Sequence, residues 1–366
     1  MGDKYPKLKV AAVNAAPVFL DREASTEKAC QFIREAGANG AKVIAFPEGF
    51  IPAHPVWFHF HPGTDNVASR LSLQLLKNSV IIPEKEPAGG PEIAALCQAA
   101  KDAGTYVIMG LCEKESLYSG TMYNSQVFIS PEGRYMGKHQ KIMPTVGERF
   151  VHKVGSADTF GAFQTEYGPI SGLMCSENFN PLAIFALASE GTMIHAMAWP
   201  NHRPINARQP LVENISISAQ GFARMTKAYV IASAGSVDER MIKMLEPNER
   251  QEQFLRNPAN SGGSVIVAPD ASIVAGPMGN EEGLLYADVD LENCLKTKLH
   301  LDFAGHYNRP DIFQLHINRQ TPRLYVQEGN PWGFGADAGC GADNGDSGEG
   351  DCSCDDEPGA GGRGKS

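Results

Sequence analysis

The stretch Pro169-Ile-Ser-Gly-Leu-Met-Cys175-Ser-Glu-Asn178 is followed closely by Pro181-Leu-Ala-Ile-Phe-Ala-Leu-Ala-Ser-Glu190. The apolar run before Cys175 predicts a buried strand, and the second stretch predicts a helix. Cys175 therefore stands at a strand-to-helix turn, where backbone N–H groups and the helix N-terminus favour the thiolate over the thiol. The simpler interpretation of such a cysteine is a small buried hydrophobic residue.

Strand-like and helix-like segments alternate on both sides of this turn. Runs that suit buried strands lie at residues 8–15, 42–46, 106–111, 124–129, 134–139, 159–163, 168–174, 192–199, 230–233, 264–268 and 284–289. Helix-like segments lie at residues 23–36, 91–103, 181–189 and 210–227. This alternation predicts an α/β protein with helices outside a sheet core, without choosing between architectures.

Two more polar residues stand in segments of the same kind as Cys175. Phe46-Pro-Glu48 ends an earlier predicted strand, and Lys141 opens the run Lys-Ile-Met-Pro-Thr-Val-Gly-Glu148. Taken singly, Glu48 could be a solvated carboxylate and Lys141 a surface lysine. Together with Cys175 they form a candidate active site, since a glutamate, a lysine and a cysteine can serve acid–base and nucleophilic chemistry.

All three segments resemble the nitrilase superfamily of carbon–nitrogen hydrolases. The blocks are Val43-Ile-Ala-Phe-Pro-Glu48-Gly-Phe-Ile-Pro52, His139-Gln-Lys141-Ile-Met-Pro-Thr145 and Gly172-Leu-Met-Cys175-Ser-Glu-Asn178. Residues 9–17 are similar to the family's first strand, and residues 262–270 and 305–311 are similar to blocks of true nitrilases, so the resemblance covers roughly residues 7 to 320. It implies a four-layer αββα sandwich and catalytic roles for Glu48, Lys141 and Cys175. It also implies that Glu148 lies near the lysine and the substrate; the alternative is an ion pair of Glu148 with Arg149 or another surface cation.

Three features bear on the substrate pocket. Ser176 stands where many nitrilases have an aromatic residue, and its backbone N–H can help to stabilise charge on the substrate. Trp199-Pro200 resembles the substrate-side Trp-Pro of nitrilases, although Trp199 could simply be a core aromatic residue. The aromatic-rich segment 54–61 favours a pocket wall or an interface over a metal site at His59 and His61.

The resemblance implies a nitrilase that hydrolyses an organic nitrile to the carboxylic acid and ammonia. Glu48 would deprotonate Cys175, Lys141 would assist the nitrogen of a thioimidate, and water would release the acid through a thioester. The small Ser176 favours aliphatic or arylaliphatic nitriles. The alternatives are an amidase or carbamoylase of the same superfamily, or a catalytically silent assembly protein on this fold. Dinucleotide, P-loop and His-Glu-x-x-His motifs are absent from the sequence, so no cofactor or metal is expected.

Composition narrows the partners and the compartment. The chain has 366 residues, 42% of them hydrophobic, and a net charge of −10, which argues against nucleic acid or an anionic membrane as a partner. The start carries no apolar run that would serve as a secretory signal, and no apolar stretch is long enough to span a bilayer. Eight cysteines in such a chain indicate thiols rather than a disulfide framework, so we expect a cytoplasmic protein.

The C-terminal end differs from the rest of the chain. We expect one hydrolase domain at residues 1–325 and an acidic tail, rich in glycine and aspartate, at residues 326–366. From Gly333 onward, glycine, aspartate, alanine and serine dominate and leave almost nothing to bury, so this segment is predicted to be disordered. Its cysteines, Cys340, Cys352 and Cys354, match no zinc template well and favour thiols without a function over a metal or redox site. The resemblance also implies a homodimer, which true nitrilases often extend into larger spirals. Residues 54–61 and 238–259 are long connections in the sequence and therefore candidate subunit contacts, with active-site walls or flexible loops as equal alternatives.

Overall fold

The computed structural model describes residues 2–82 and 90–321, and in these residues the chain forms twelve strands and eight α-helices. The strands are β1 (Lys7–Asn14), β2 (Ala41–Ala45), β3 (Tyr106–Lys114), β4 (Met122–Ile129), β5 (Tyr135–Gln140), β6 (Ala162–Phe163), β7 (Ile170–Met174), β8 (Ile194–Trp199), β9 (Tyr229–Ala234), β10 (Val265–Val267), β11 (Ile273–Ala275) and β12 (Gly283–Asp290). The helices are α1 (Arg22–Ala38), α2 (Asn66–Asn78), α3 (Pro91–Ala103), α4 (Pro181–Ser189), α5 (Leu211–Thr226), α6 (Glu239–Leu245), α7 (Glu249–Arg256) and α8 (Glu292–His300).

The strands hydrogen-bond in the order β5-β4-β3-β2-β1-β9-β8-β7-β6. Strand β12 adds to β1 in antiparallel register, β10 pairs with β9, and β11 pairs with β10. Between β1 and β9 the ladder is reduced to the single parallel pair Asn14 and Ala234. The path therefore divides there into two half-sheets, one containing β1 to β5 and the other β6 to β9.

The alternation of side chains along the strands builds the layers, because successive residues point to opposite faces of a strand. In β1, Val10 and Ala12 belong to a core between the half-sheets, whereas Ala11 and Val13 pack with residues of α1 and α3. In β9, Ile231 faces the same inner core, and the neighbouring valine and alanine residues pack with α4 and α5. The layers are helix, sheet, sheet and helix, so the predicted four-layer αββα sandwich is confirmed.

Local sequence explains the ends of the main helices. Asp21 caps α1 by accepting a hydrogen bond from the Ala24 N–H at 3.1 Å, as N-cap aspartates do. Gly104 ends α3 in the left-handed conformation, with a φ of 60°, which glycine adopts without steric cost. Both helices are thus fixed where they pack on β1 to β3.

Several predicted elements differ from the structure. The predicted strand at residues 159–163 is wrong, because a 3₁₀ turn at Ala157–Thr159 precedes a strand of only two residues, β6. The interpretation of residues 238–259 as a long connection is also wrong, since they contain α6 and α7. Helices α2 and α8 were not predicted. The boundary after residue 325, the tail and its three cysteines lie outside the described residues.

In the described ranges, each helix falls short of the length and apolar character that crossing a bilayer requires.

Candidate active site

The turn at Cys175 forms a strained elbow at the carboxyl end of β7. Cys175 has a φ of 49°, a left-handed conformation that costs a residue other than glycine on the order of 1–3 kcal/mol. It opens a 3₁₀ turn, Cys175–Phe179, that leads directly into α4. The residue is half-buried, so the turn lifts the sulfur out of the sheet while the surrounding structure holds its strained backbone.

Glu177 fixes this elbow to the segment that carries Lys141. One carboxylate oxygen, Oε2, accepts a hydrogen bond from the Met174 N–H at 3.0 Å. The other, Oε1, accepts one from the Ile142 N–H at 2.7 Å. Because Ile142 is the neighbour of Lys141, a single buried carboxylate sets the distance between the two segments.

A second chain of hydrogen bonds supports the elbow from behind. Asn178 donates from Nδ2 to the Cys175 carbonyl at 3.0 Å, and its Oδ1 accepts from His195 Nε2 at 2.8 Å. His195 is fully buried, accepts from the Ser171 hydroxyl at 2.8 Å and stacks on Phe222. These contacts restrict the turn to one conformation.

Glu48 reaches the same place from the end of β2. Its backbone N–H donates to the Trp199 carbonyl at 3.1 Å, which joins it to the end of β8. A Cβ at Gly110 of β3 would lie 2.1 Å from the Pro47 carbonyl oxygen. Only glycine at position 110 lets the chain that carries Glu48 cross β3 this closely.

Lys141 lies between two buried carboxylates. Its Nζ donates to Glu48 Oε1 at 2.6 Å and to Glu148 Oε2 at 2.5 Å. Asn124 of β4 donates from Nδ2 to Glu48 Oε1 at 2.7 Å and to Glu148 Oε1 at 2.8 Å. An ammonium and an amide therefore hold both carboxylates in fixed positions, out of contact with solvent.

Glu148 owes its position to a short 3₁₀ turn, Val146–Phe150. Its Oε2 also accepts from the Thr145 N–H at 2.8 Å, which closes a capping box. Arg149 instead donates from Nε to the Pro144 carbonyl at 2.9 Å. The structure therefore places Glu148 with Lys141, and the alternative pairing with Arg149 is not formed.

The charges of this cluster stabilise one another against burial. Burial alone lowers the pKa of Lys141, but the carboxylates of Glu148 and Glu48 raise that pKa well above its usual value. Burial also opposes ionisation of the two glutamates, yet Lys141 and His54 hold the pKa of Glu148 well below its usual range and lower the pKa of Glu48. The resting site thus contains a buried ammonium and two buried carboxylates.

The charge state of Cys175 depends on its surroundings. Burial, reinforced by the negative charge of Glu48, raises the pKa of Cys175 to about 12. The turn alone favours the thiolate, but desolvation and a facing carboxylate outweigh the helix terminus at this cysteine. The shift indicates that Cys175 keeps its proton in the resting site.

The other predicted pocket residues lie near the elbow in different settings. Ser176 Oγ is 3.6 Å from Cys175 Sγ, and the Ser176 N–H is among the first amides of the turn, which have no partner within such a turn. The Trp199 ring lies in the core between β8 and α4 and meets Phe179 edge to face at 6.0 Å. Pro200 is buried directly after it. The backbone of Trp199, rather than its ring, holds Glu48.

The histidines of the segment 54–61 have separate partners. His59 Nδ1 is 3.4 Å from His202 Nδ1, whereas His61 contacts Asp65 Oδ2 at 3.0 Å and the Leu245 carbonyl at 2.7 Å. They do not converge on a common point, as the ligands of a metal ion must. The segment is packed against α7 and the Glu148 turn rather than open to solvent.

A different set of three side chains lies close enough together to hold a cation. Glu48, His54 and Glu148 offer ligand atoms that lie within 4.8 Å of one another. Lys141 Nζ, however, already contacts both carboxylates, so the ammonium supplies the positive charge at the position that a metal ion would take. The expectation of a site without a metal stays a prediction.

Sequence reasoning missed three residues that shape the site, namely Asn124, His54 and Glu177. A usable signal for Asn124 was the polar run Asn124-Ser-Gln126 inside an otherwise apolar strand, since all three residues are fully buried and buried polar groups need partners. His54 stood within the segment singled out as a pocket wall. Glu177 stood two residues after the cysteine and gave no separate signal.

Comparisons with known proteins show what the whole chain is similar to. A family model described as carbon-nitrogen hydrolase matches residues 9–299. A nitrilase from Bacillus sp. (strain OxB-1) is 34% identical over 319 residues, which cover 86% of this chain and 89% of that protein. A cyanide hydratase from Pyrenophora teres f. teres (strain 0-1) is 34% identical over 340 residues, which cover 89% of this chain and 88% of that one.

Solved structures share the architecture at lower sequence identity. The crystal structure of Saccharomyces cerevisiae Nit3, described as a member of branch 10 of the nitrilase superfamily, superimposes with a TM-score of 0.62 and 19% identity. The match covers 82% of this chain and 96% of that one. At this identity the likeness concerns the fold alone.

Proposed function

This chain belongs to the carbon–nitrogen hydrolase family, in its nitrilase branch, and on that premise we propose that it hydrolyses an aliphatic or arylaliphatic nitrile to the carboxylic acid and ammonia through a thioimidate and a thioester on Cys175. As a member of that branch it is a hydrolase of carbon–nitrogen bonds. The proposal concerns the substrate class, the covalent intermediates and the roles of the individual residues.

The observation that carries the mechanism is the asymmetry of the Glu48 carboxylate. Oε1 receives hydrogen bonds from Lys141 and Asn124, whereas Oε2 is buried and has no hydrogen-bond partner among the residues that the structure describes. Oε2 is therefore the oxygen that can accept a proton. Cys175 is the nearby proton donor whose pKa responds to the Glu48 charge, so Glu48 acts as its general base.

In the first step, Cys175 Sγ bonds to the nitrile carbon while its proton passes to Glu48 Oε2. The nitrile nitrogen takes a proton from Lys141, and the proton held by the Glu48 carboxyl then passes to the neutral Lys141 amine, its neighbour. The product is a neutral thioimidate, with Glu48 ionised and Lys141 charged again. The Ser176 N–H and the Lys141 ammonium stabilise the charge that develops on nitrogen during the attack.

Two waters complete the reaction. Glu48 takes a proton from the first water as the oxygen of that water adds to the thioimidate carbon. Glu48 and Lys141 pass both protons of this water to the nitrogen, the carbon–nitrogen bond breaks, and ammonia departs, so that a thioester remains on Cys175. A second water adds in the same way, the carbon–sulfur bond breaks, and the sulfur regains its proton as the acid leaves. Glu148 holds Lys141 in place throughout.

Matched nitriles and amides test this function. We expect phenylacetonitrile and butyronitrile to yield their acids with one ammonia each, and phenylacetamide and butyramide to react far more slowly. Ammonia is measured by a coupled assay and the organic product by NMR. Ammonia release from the amides but not from the nitriles would show that the protein is an amidase rather than a nitrilase. Formation of the amide without ammonia would contradict the second half of the proposed reaction, in which the acid is formed. The name of the cyanide hydratase relative suggests that outcome.

We also propose that the protein is a homo-oligomer, at least a dimer. Helices α4 and α5 pack side by side on the outer layer, and Leu182 and Ile217 on them are 62% and 55% exposed. Contiguous apolar patches on a protein surface mark interfaces, and this pair of helices is where we expect one. Residues 327–366 carry a net charge of −7, which opposes close association through like-charge repulsion.

Removing residues 333–366 is expected to shift the distribution of oligomers towards larger species, because most of that repulsion is removed, while turnover per subunit stays unchanged. Light scattering coupled to size exclusion, on full-length and truncated protein, measures the shift. A monomer that is fully active in both forms would refute the assembly proposal and leave the chemistry at Cys175 untouched.

A further inference from the structure

His54 is a buried imidazole that touches both carboxylates of the site. Its Nε2 lies 3.4 Å from Glu148 Oε1 and 3.6 Å from Glu48 Oε1, and the residue is 5% exposed. These are ion-pair distances rather than well-formed hydrogen bonds. The histidine therefore acts on the carboxylates mainly through its charge.

Charge balance explains why the site needs this group. Glu48 and Glu148 together carry two negative charges in a place closed to solvent, and Lys141 supplies one positive charge. One uncompensated buried charge costs several kcal/mol. Among the described residues, His54 is the group outside this trio that contacts both carboxylates and can carry the missing charge.

The other histidines near His54 are poor candidates for that charge. His152 Nδ1 contacts Glu148 Oε1 at 3.4 Å, but its Nε2 faces the Cys112 sulfur at 3.4 Å. Burial lowers the pKa of His152, lowers that of His59 well below its usual value, and lowers that of His202 to about 4. All three are neutral at pH 7, so His54 faces two anions, the Lys141 ammonium and three neutral rings.

We propose that His54 is a positioning residue of the catalytic site, which holds a proton between Glu48 and Glu148, keeps both carboxylates ionised and so leaves Glu48 able to take the proton of Cys175. The inference rests on the proposed role of Glu48 as the base. Burial by itself lowers the pKa of His54, but the two carboxylates raise it to about 9, which agrees with a protonated ring at neutral pH.

The pH dependence follows from the sign of this shift. A histidine whose pKa rises on folding contributes stability that is full below its ordinary value of 6.5 and is lost as the pH rises through about 9. Above that pH the cluster carries a net negative charge. This charge opposes the negative charge that develops on sulfur and nitrogen during attack, so kcat/KM falls on the alkaline side.

Two neutral replacements test the proposal. In His54→Gln and His54→Tyr we expect kcat/KM at pH 7 to fall about tenfold or more. Without the positive charge of His54, Glu48 is protonated in part of the molecules, and these lose the roughly 10²–10⁴-fold acceleration that a general base supplies. We also expect the alkaline fall near pH 9 to disappear from both profiles. His61→Gln is the matched control, because His61 lies on the same segment and its ring contacts Asp65 and Leu245 rather than the two glutamates. Its profile should keep the alkaline fall.

A second readout does not depend on turnover. In protein labelled with 13C at the histidine Cε1 position, the signal that is lost in His54→Gln, or in His54→Tyr, should titrate with a midpoint near pH 9. A midpoint at or below the ordinary histidine value, or an alkaline limb that persists in both variants, would overturn the proposal. If the protein turned over no nitrile, the proposed function would fail while the titration still decided the charge of His54.

Discussion

Replacing Cys175 by alanine is expected to abolish turnover of every nitrile while the protein stays folded. The substitution removes the sulfur that forms the covalent bond, and the remaining groups cannot replace a nucleophile. We expect kcat to fall by at least about 10⁴-fold, as it does when a covalent catalyst loses its attacking atom. The backbone of the elbow should survive, because Glu177 and Asn178 hold it through groups that the substitution leaves in place.

The control for this variant is Cys294→Ala. Cys294 is a fully buried cysteine of α8 and belongs to the core between the half-sheets, so its loss affects packing without touching the site. Cys294→Ala should keep nearly full activity, and its free energy of unfolding should fall because the missing sulfur leaves a small cavity in the core. Ammonia release and thermal unfolding, measured on both variants, separate the two effects. Full activity in Cys175→Ala would rule out the thioester mechanism.

Glu48→Gln is expected to produce the second largest loss, about 10²–10⁴-fold in kcat/KM. The amide of glutamine keeps an acceptor for Lys141 and Asn124, but its nitrogen replaces Oε2 with a donor that cannot take the thiol proton. The change also removes one charge from a balanced cluster and leaves a buried cation without its partner. This should lower the free energy of unfolding by about 3–5 kcal/mol.

Glu113→Gln is the matched control for Glu48→Gln. Glu113 is a buried carboxylate of β3 that pairs with Lys138 and accepts hydrogen bonds from Ser125 and Gln140. Glu113→Gln should lower the free energy of unfolding by a comparable amount and leave kcat/KM nearly unchanged. A Glu48→Gln enzyme that, once folded, works at nearly the normal rate would remove Glu48 from the role of base.

The part of the site that the sequence predicted is the part that local pattern encodes. An apolar run that ends at Cys175 and precedes a helix can be recognised from neighbouring residues alone, and β7 and α4 lie where that pattern put them. The layer order is different. The ladder between β1 and β9 joins residues 14 and 234, and such a pairing leaves no trace in either segment, so the sandwich followed from the resemblance.

The missed helices show where pattern reading was incomplete. Helix α7 starts with Asn248 and Gln251 in a capping box, and α2 starts with Asp65 as its N-cap. Both are ordinary start signals. The stretch around α7 is so polar that the sequence favours a connection. The structure shows why, because Leu255 is its one buried residue and the apolar face is too narrow to show in the sequence.

Charge states could not be predicted from sequence because they depend on groups brought together from distant segments. Cys175 keeps its proton because it is buried and Glu48, 127 positions earlier in the chain, faces it. Lys141 keeps its charge because Glu148 and Glu48 surround it. The turn at Cys175 predicts the opposite protonation when it is considered alone.

Mass spectrometry of the enzyme during turnover tests the central claim most directly. The protein is mixed with excess phenylacetonitrile, quenched in acid within the first turnovers and digested, and the peptide that contains Cys175 is examined. The account predicts the added mass of the phenylacetyl thioester or its thioimidate on Cys175, and its absence from the other cysteines. An adduct on another residue, or steady release of acid without any adduct on Cys175, would contradict it.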